Sequence, residues 1–110
     1  MENRITPDLT EDGFDKAIEG HGISVVVFWA PWCASCSRMD DMLCELAVEL
    51  AGNARFYRVN ADDERELAKR FDVVTLPTMV FCQDGQAVER TTGPKTKNAL
   101  KKLVESCSVA

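Results

Sequence analysis

An apolar run from Ile23 to Trp29 passes through Ala30-Pro31-Trp32 into a long amphipathic stretch that begins near Ala34. The run has strand composition, with Val25, Val26 and Val27 β-branched and Phe28 and Trp29 aromatic. Beyond it, Met39, Leu43, Leu46, Ala47 and Leu50 recur every three or four residues, which predicts a helix reaching about Leu50. A strand running straight into a helix fixes what stands at the junction, and here it is Cys33-Ala34-Ser35-Cys36. Three residues apart, Cys33 and Cys36 share one face of the first turn. Unpaired backbone N–H groups and the positive end of the helix dipole favour an anion there. For Cys33 that anion is a thiolate, the nucleophilic form of cysteine, so Cys33 is the expected attacking and more exposed sulfur. Cys36, one turn inward, is placed to resolve a mixed disulfide. The pair reads as a redox dithiol.

The rest of the chain alternates strands and helices. Thr10 is a candidate N-cap for a short helix carrying Phe14, Ala17 and Ile18 inward, ended by Gly20 and Gly22. His21 reads as a solvated loop residue, since no second histidine exists to share a metal. Arg55 to Asn60 is a second strand. Ala61 to Phe71 holds a loop and a short helix, with Asp62 or Asp63 as its cap and Leu67, Ala68 and Phe71 facing inward. Such alternation predicts right-handed βαβ pairing of parallel strands. After Pro77 the pattern changes. Thr78 to Cys82 and Ala87 to Thr91 flank Asp84-Gly85, an antiparallel hairpin signal. Gly93-Pro94 then precedes a last helix from Lys95 or Thr96, with Leu100, Leu103, Val104 and Cys107 inward and Lys97, Lys101 and Lys102 outward. The fold class is α/β, a central mixed sheet with helices on both faces, in one domain spanning 1–110.

Composition narrows the chemistry. The formal charge of -5 offers no basic stripe for nucleic acid or an anionic membrane. No apolar run approaches the length of a membrane span, and Met1 to Asp8 lack the apolar core of a signal peptide. Five cysteines, odd in number and irregularly spaced, make a poor secreted disulfide framework, so the expected compartment is the reducing cytoplasm. A zinc site would need a second pair spaced like Cys33 and Cys36, and Cys44, Cys82 and Cys107 do not supply one. Metal ligation is therefore not expected. Cys82 reads as a small buried hydrophobe and Cys44 lies near the margin of the long helix's apolar face, while Cys107, near the chain end, could bridge two molecules on oxidation.

The segment Phe28-Trp29-Ala30-Pro31-Trp32-Cys33-Ala34-Ser35-Cys36 resembles the active-site segment of the thioredoxin family. The resemblance extends to Asn60-Ala61-Asp62, to Phe71-Asp72-Val73 through Leu76-Pro77-Thr78, to Asp84-Gly85 and to Gly93, and so covers nearly all of the chain. It implies the thioredoxin fold and a thiol–disulfide oxidoreductase, chiefly a protein disulfide reductase, contributing to electron transport and redox homeostasis without a bound cofactor. It also implies disulfide-bearing protein substrates, a thioredoxin reductase or other thiol donor, and a monomer. An X-Pro bond is trans by default; the resemblance implies that Leu76–Pro77 is cis and lies beside the dithiol. Thr75, Leu76, Pro77 and Gly93 would then line the substrate rim. Trp32 is either a contact surface for substrate or a ring folded over the core edge, and the resemblance favours the surface.

The chain departs from the family pattern in three places. Ala34-Ser35 stands where Gly-Pro is usual, which restores an N–H and adds a hydroxyl near the sulfurs. Asp41 replaces a helix-kinking proline, which predicts a straighter helix. Val27 aligns with a buried aspartate thought to take the proton of the second cysteine. Proton removal from Cys36 then needs another polar group or water. These departures motivate the rival reading, a binding or co-chaperone module with the same fold and little turnover.

Overall fold

The computed structural model describes residues 6–20 and 22–108. His21 and the first residues of the N-terminal segment lie outside the described residues. Four strands form one mixed sheet: β1 (Ile23–Trp29), β2 (Ala54–Asn60), β3 (Thr78–Gln83) and β4 (Gln86–Thr92). Their order is β2-β1-β3-β4, with β1 parallel to β2, and β3 antiparallel to both β1 and β4. Four helices cover it: α1 (Glu11–Ile18), α2 (Ala34–Glu49), α3 (Arg65–Arg70) and α4 (Lys97–Ser108). This is the thioredoxin fold, the α/β architecture expected.

The unbroken apolar run of β1 has a direct cause: the strand is central and covered on both faces. Ile23, Val25 and Val27 point to one side, where they pack with Met39, Leu43 and Leu46 of α2 and Leu100 and Val104 of α4. Val26 and Phe28 point to the other, among Phe14 and Ile18 of α1, Val59 of β2 and Leu67 of α3. Phe71 stacks across both Phe14 and Phe28 at 5.4 and 5.9 Å between centroids, closing the second cluster. Period-two alternation thus feeds two separate cores from one strand.

The hairpin forms as its Asp-Gly tip requires, with Asp84 and Gly85 both at positive φ (52° and 82°), a backbone whose twist matches the flanking strands. Lys97 and Lys101, predicted to face solvent, are not idle there. Lys97 pairs with Glu45 at 3.1 Å and with Glu49, and Lys101 reaches Glu49, so α4 is tied along α2.

Two caps differ from expectation. Thr10 does hold the N-cap position of α1, but its side chain makes no capping bond. Instead the Glu11 N–H donates to the Glu64 carboxylate at 3.0 Å, a cap from across the fold. The N-cap of α3 is Glu64 rather than Asp62 or Asp63. The reason is local: Asn60 Oδ1 accepts the N–H groups of Asp62 and Asp63, at 3.0 and 3.3 Å, and holds both in a turn before the helix.

Cys82 is fully buried in the α1/α3 cluster, as expected of a small hydrophobe. Burial pushes its thiol from an ordinary 9.0 up to about 11, against a weaker pull from Arg70. The unfolded chain therefore loses this proton near 9.0, whereas the folded chain keeps it to about 11. The stability it confers is complete below the lower value and is lost as pH rises through the higher. Chemical denaturation across that window is expected to show a fall on the order of 2 kcal/mol that Cys82→Ala lacks, whatever that variant's baseline. Equal slopes in both proteins would place the thiol in a less apolar setting than described.

Candidate active site

The parallel pairing of β1 with β2 and the antiparallel pairing with β3 bring four chain segments to one end of the sheet. Trp29 ends β1 opposite Asn60 of β2, Phe28 pairs with Thr78 at the start of β3, and Thr78 pairs with Thr92 at the end of β4. Loops leaving the carboxyl ends of parallel strands are where α/β folds place their sites. Cys33 and Gly93 follow the carboxyl ends of β1 and β4, Pro77 precedes β3 at the same end of the sheet, and the Gly93 N–H donates to the Pro77 carbonyl at 2.8 Å.

After Ala30 the chain makes a turn closed by the Cys33 N–H and the Ala30 carbonyl (3.0 Å), and α2 starts at once. Cys33 is its N-cap, in extended backbone conformation. Its sulfur accepts the Cys36 N–H at 3.2 Å and lies 3.5 Å from the Ser35 hydroxyl. Cys33 and Cys36 are joined as a disulfide, with Cα atoms 5.3 Å apart. The hydroxyl that Ser35 brings in place of proline therefore stands beside the sulfur. The expected difference in exposure is not found. Cys33 is 5% exposed and Cys36 7%, so both are buried in the bridged form. What sets Cys33 apart is its cap position rather than access.

Trp32 is 70% exposed, so its ring is not folded over the core edge; its indole N–H donates to Asp62 at 3.0 Å. Val74, which the sequence did not single out, is 88% exposed and shares a surface depression with Ala61, next to Asp62. Leu76–Pro77 is cis, as the resemblance implied against the local default. Pro77 is buried and Leu76 half-buried, while Thr75 is exposed and its carbonyl accepts the Thr78 hydroxyl at 2.6 Å. Arg90 of β4 fixes the approach to this loop by donating to the carbonyls of Phe71 and Asp72 at 2.6 and 3.3 Å.

Behind the sulfurs lies a polar group that sequence reading missed. Arg58 of β2 stands directly opposite Val27 in register. Its guanidinium pairs with Asp40 of α2 at 2.9 Å and with Asp8 at 3.0 Å, and stacks 4.3 Å from the Trp29 ring. The Trp29 indole N–H donates to Asp8 at 2.8 Å, so Trp29 is more than a packing residue. Asp8 is held there because its segment joins the sheet edge, Pro7 and Leu9 bonding the Arg58 backbone at 2.9 and 2.7 Å. Two signals pointed this way. Arg58 puts a charge in an otherwise half-buried strand, and Asp40 follows Cys36 by four residues, hence on its face of the helix. Asp41 is exposed, and α2 runs through it unbroken.

Cys44 and Cys107 are half-buried free thiols; burial, with help from Glu89, raises the Cys107 thiol. Among the described residues no three His, Cys, Asp or Glu side chains gather as metal ligands would.

The thioredoxin family model matches residues 5–106. Thioredoxin of Bacillus subtilis is 34% identical over 95 residues, which span 86% of this chain and 90% of that protein. Thioredoxin of Staphylococcus saprophyticus is 32% identical over 97 residues, covering 88% and 92%. A solved structure of a mutant thioredoxin from Halobacterium salinarum superposes with a TM-score of 0.88 at 25% identity, covering 100% of this chain and 97% of that one.

The pairing is open to a simple count. Air-oxidised protein, denatured without reductant, is expected to present three free thiols, Cys44, Cys82 and Cys107. A count of one would reveal a second bridge and contradict the arrangement.

Proposed function

The chain belongs to the thioredoxin family and is a thiol–disulfide oxidoreductase, and we propose that Cys33 and Cys36 are its working dithiol. In the reduced protein the Cys33 thiolate attacks a substrate disulfide, forming one mixed disulfide and expelling one substrate thiolate. Cys36 then loses its proton and attacks the Cys33 sulfur. The Cys33–Cys36 bond forms, the second substrate thiolate leaves, and two electrons have passed to substrate. A thiol donor, as the family uses in general, returns the pair to the dithiol.

The observation that carries this reading is the capping bond, the Cys36 N–H donating to the Cys33 sulfur at 3.2 Å. A backbone donor aimed at a sulfur at a helix N-terminus stabilises the thiolate over the thiol. Ser35, 3.5 Å away, can donate a second hydrogen bond once the sulfur is charged. Among the described residues no such donor faces the Cys36 sulfur, which supports its place as the second sulfur.

The substrate rim on this reading is Trp32, Thr75, Leu76, Pro77 and Gly93, joined by Val74. Exposed Trp32, next to Cys33 in the chain, and exposed Val74 offer apolar area of the kind that anchors a polypeptide. The loop of Thr75 to Pro77 sits at the same sheet end, where an extended substrate segment could align with its backbone. We take residues 1–110 as one monomeric domain, since both cores share β1. A reducing cytoplasmic setting fits the three free thiols. Among the described residues no helix is long and apolar enough to cross a membrane.

Reduction of insulin with dithiothreitol as electron source tests the activity. Wild type is expected to accelerate it, Cys33→Ser to abolish the acceleration, and Cys36→Ser to accumulate a mixed disulfide through Cys33. Acceleration indifferent to Cys33→Ser would favour a binding module with the same fold.

A further inference from the structure

The dithiol mechanism requires Cys36 to give up a proton, yet Cys36 is buried and the strand beneath it offers only Val27. Burial in apolar surroundings disfavours a thiolate. A proton acceptor must therefore be reachable from inside. Beneath Cys36 lies a cavity of about 140 Å³, walled by Val27 and Trp29 of β1, Arg58 of β2, and Cys36, Asp40 and Leu43 of α2. Among its walls only one side chain is a carboxylate, and it belongs to Asp40.

We infer that Asp40 takes the Cys36 proton through water held in this cavity; the inference deepens the dithiol reading and rests on it. Residues four apart on a helix have Cβ atoms about 5–6 Å apart, a span that one bridging water covers. The cavity is several times the ~30 Å³ share of one water and has polar walls, the two conditions for a stable guest. Arg58 Nε is buried without a hydrogen-bond partner among the described residues and offers that water a donor. Asp40 itself is half-buried, between cavity and solvent, so an accepted proton has a way out.

Charge balance follows simply. In the mixed disulfide, the Cys36 thiol proton passes over water to the Asp40 carboxylate. Cys36 sulfur bonds to Cys33 sulfur, the Cys33–substrate bond breaks, and the substrate departs as a thiolate that is protonated from solvent or by Asp40. When a dithiol donor reduces the bridge, a proton from the donor or solvent returns to Cys36 by the same route.

The other groups facing this acceptor are few. Arg58 approaches from β2 at 2.9 Å, with Asp8 behind it from the N-terminal segment. From β1 come only Val27 and Trp29. On α2, Cys33 lies beside Cys36, and Cys44 stands one turn beyond Asp40, 3.9 Å from the Thr6 hydroxyl. From α4, Lys97 and Lys101 engage Glu45 and Glu49, towards the far end of α2. Asp41 projects to solvent, off the Cys36 face. Among the described residues, Arg58 is the cation paired with Asp40.

Rapid acid quench with intact-mass spectrometry separates the two steps. Reduced full-length protein is mixed with a small aliphatic disulfide; adduct mass appears as Cys33 attacks and disappears as Cys36 resolves. Asp40→Asn is expected to leave the first step unchanged, which also certifies its fold, and to slow the second about 10²-fold near neutral pH. The acid limb in the pH profile of the second step should vanish with it. Arg58→Met removes the facing cation but keeps the carboxylate, so that limb should persist. Resolution at the wild-type rate in Asp40→Asn overturns the inference. So does an equal slowing in both variants with unchanged pH profiles, which would make the pair a structural clasp. If wild type forms no Cys33 adduct at all, the dithiol reading fails first and carries the inference down with it.

Discussion

The sulfur of Cys33 serves as a helix cap, and the arrangement around it follows from that one hydrogen bond to the Cys36 N–H. A helix begins with donors that have no partner inside it, and side-chain oxygens of Ser, Thr, Asp or Asn usually satisfy them. Cysteine is an uncommon choice because a thiol is a weak acceptor, whereas a thiolate is a strong one. The cap therefore couples local structure to charge state. It is held in place from both sides of the sheet: Val26 and Phe28 anchor β1 in one core, Val25 and Val27 in the other, and Met39 and Leu43 dock α2. Loosening either core would let the cap drift.

A charged cluster lies at the end of the α2-side core, where Leu43 and Val27 give way to Asp40, Arg58, Trp29 and Asp8. Charges this close to a core are tolerable only when paired, and here one guanidinium serves two carboxylates and an aromatic face. The cluster also clamps the N-terminal segment to the sheet edge through Asp8. Fold closure and the surroundings of the second sulfur thus share residues, so a substitution at Arg58 would act on both at once.

Much of the fold was legible in the sequence because its signals are local. The doubly buried β1, the α2 stripe and the Asp84-Gly85 hairpin each announce themselves in a few residues. What was misjudged involves partners distant in the chain. Glu64 caps α1 from fifty-three positions away, and no reading of Thr10 alone could show it. Asn60 captures the N–H groups of Asp62 and Asp63, which moved the α3 cap to Glu64. The cis bond before Pro77 came only by resemblance, since an isolated X-Pro dipeptide favours trans. Cys33 was expected to be the more exposed sulfur, but in the bridged form it is as buried as Cys36. The resemblance points to the strand position of Val27 for a carboxylate, and beyond its spacing from Cys36 nothing local in the sequence marks Asp40 in its place. The structure puts a carboxylate on the facing helix, in the same cavity.

The central claim is that this cap makes Cys33 the thiolate of the reduced protein. Ultraviolet absorbance of the thiolate, followed against pH in reduced wild type and in Cys33→Ser, tests it most directly. Burial sets Cys82 apart, since it titrates only at about 11, and raises Cys107 as well. The account predicts a first thiolate appearing well below the ordinary cysteine value of about 8.5 and missing from Cys33→Ser. A first step at or above that value, or one that survives Cys33→Ser, would contradict it.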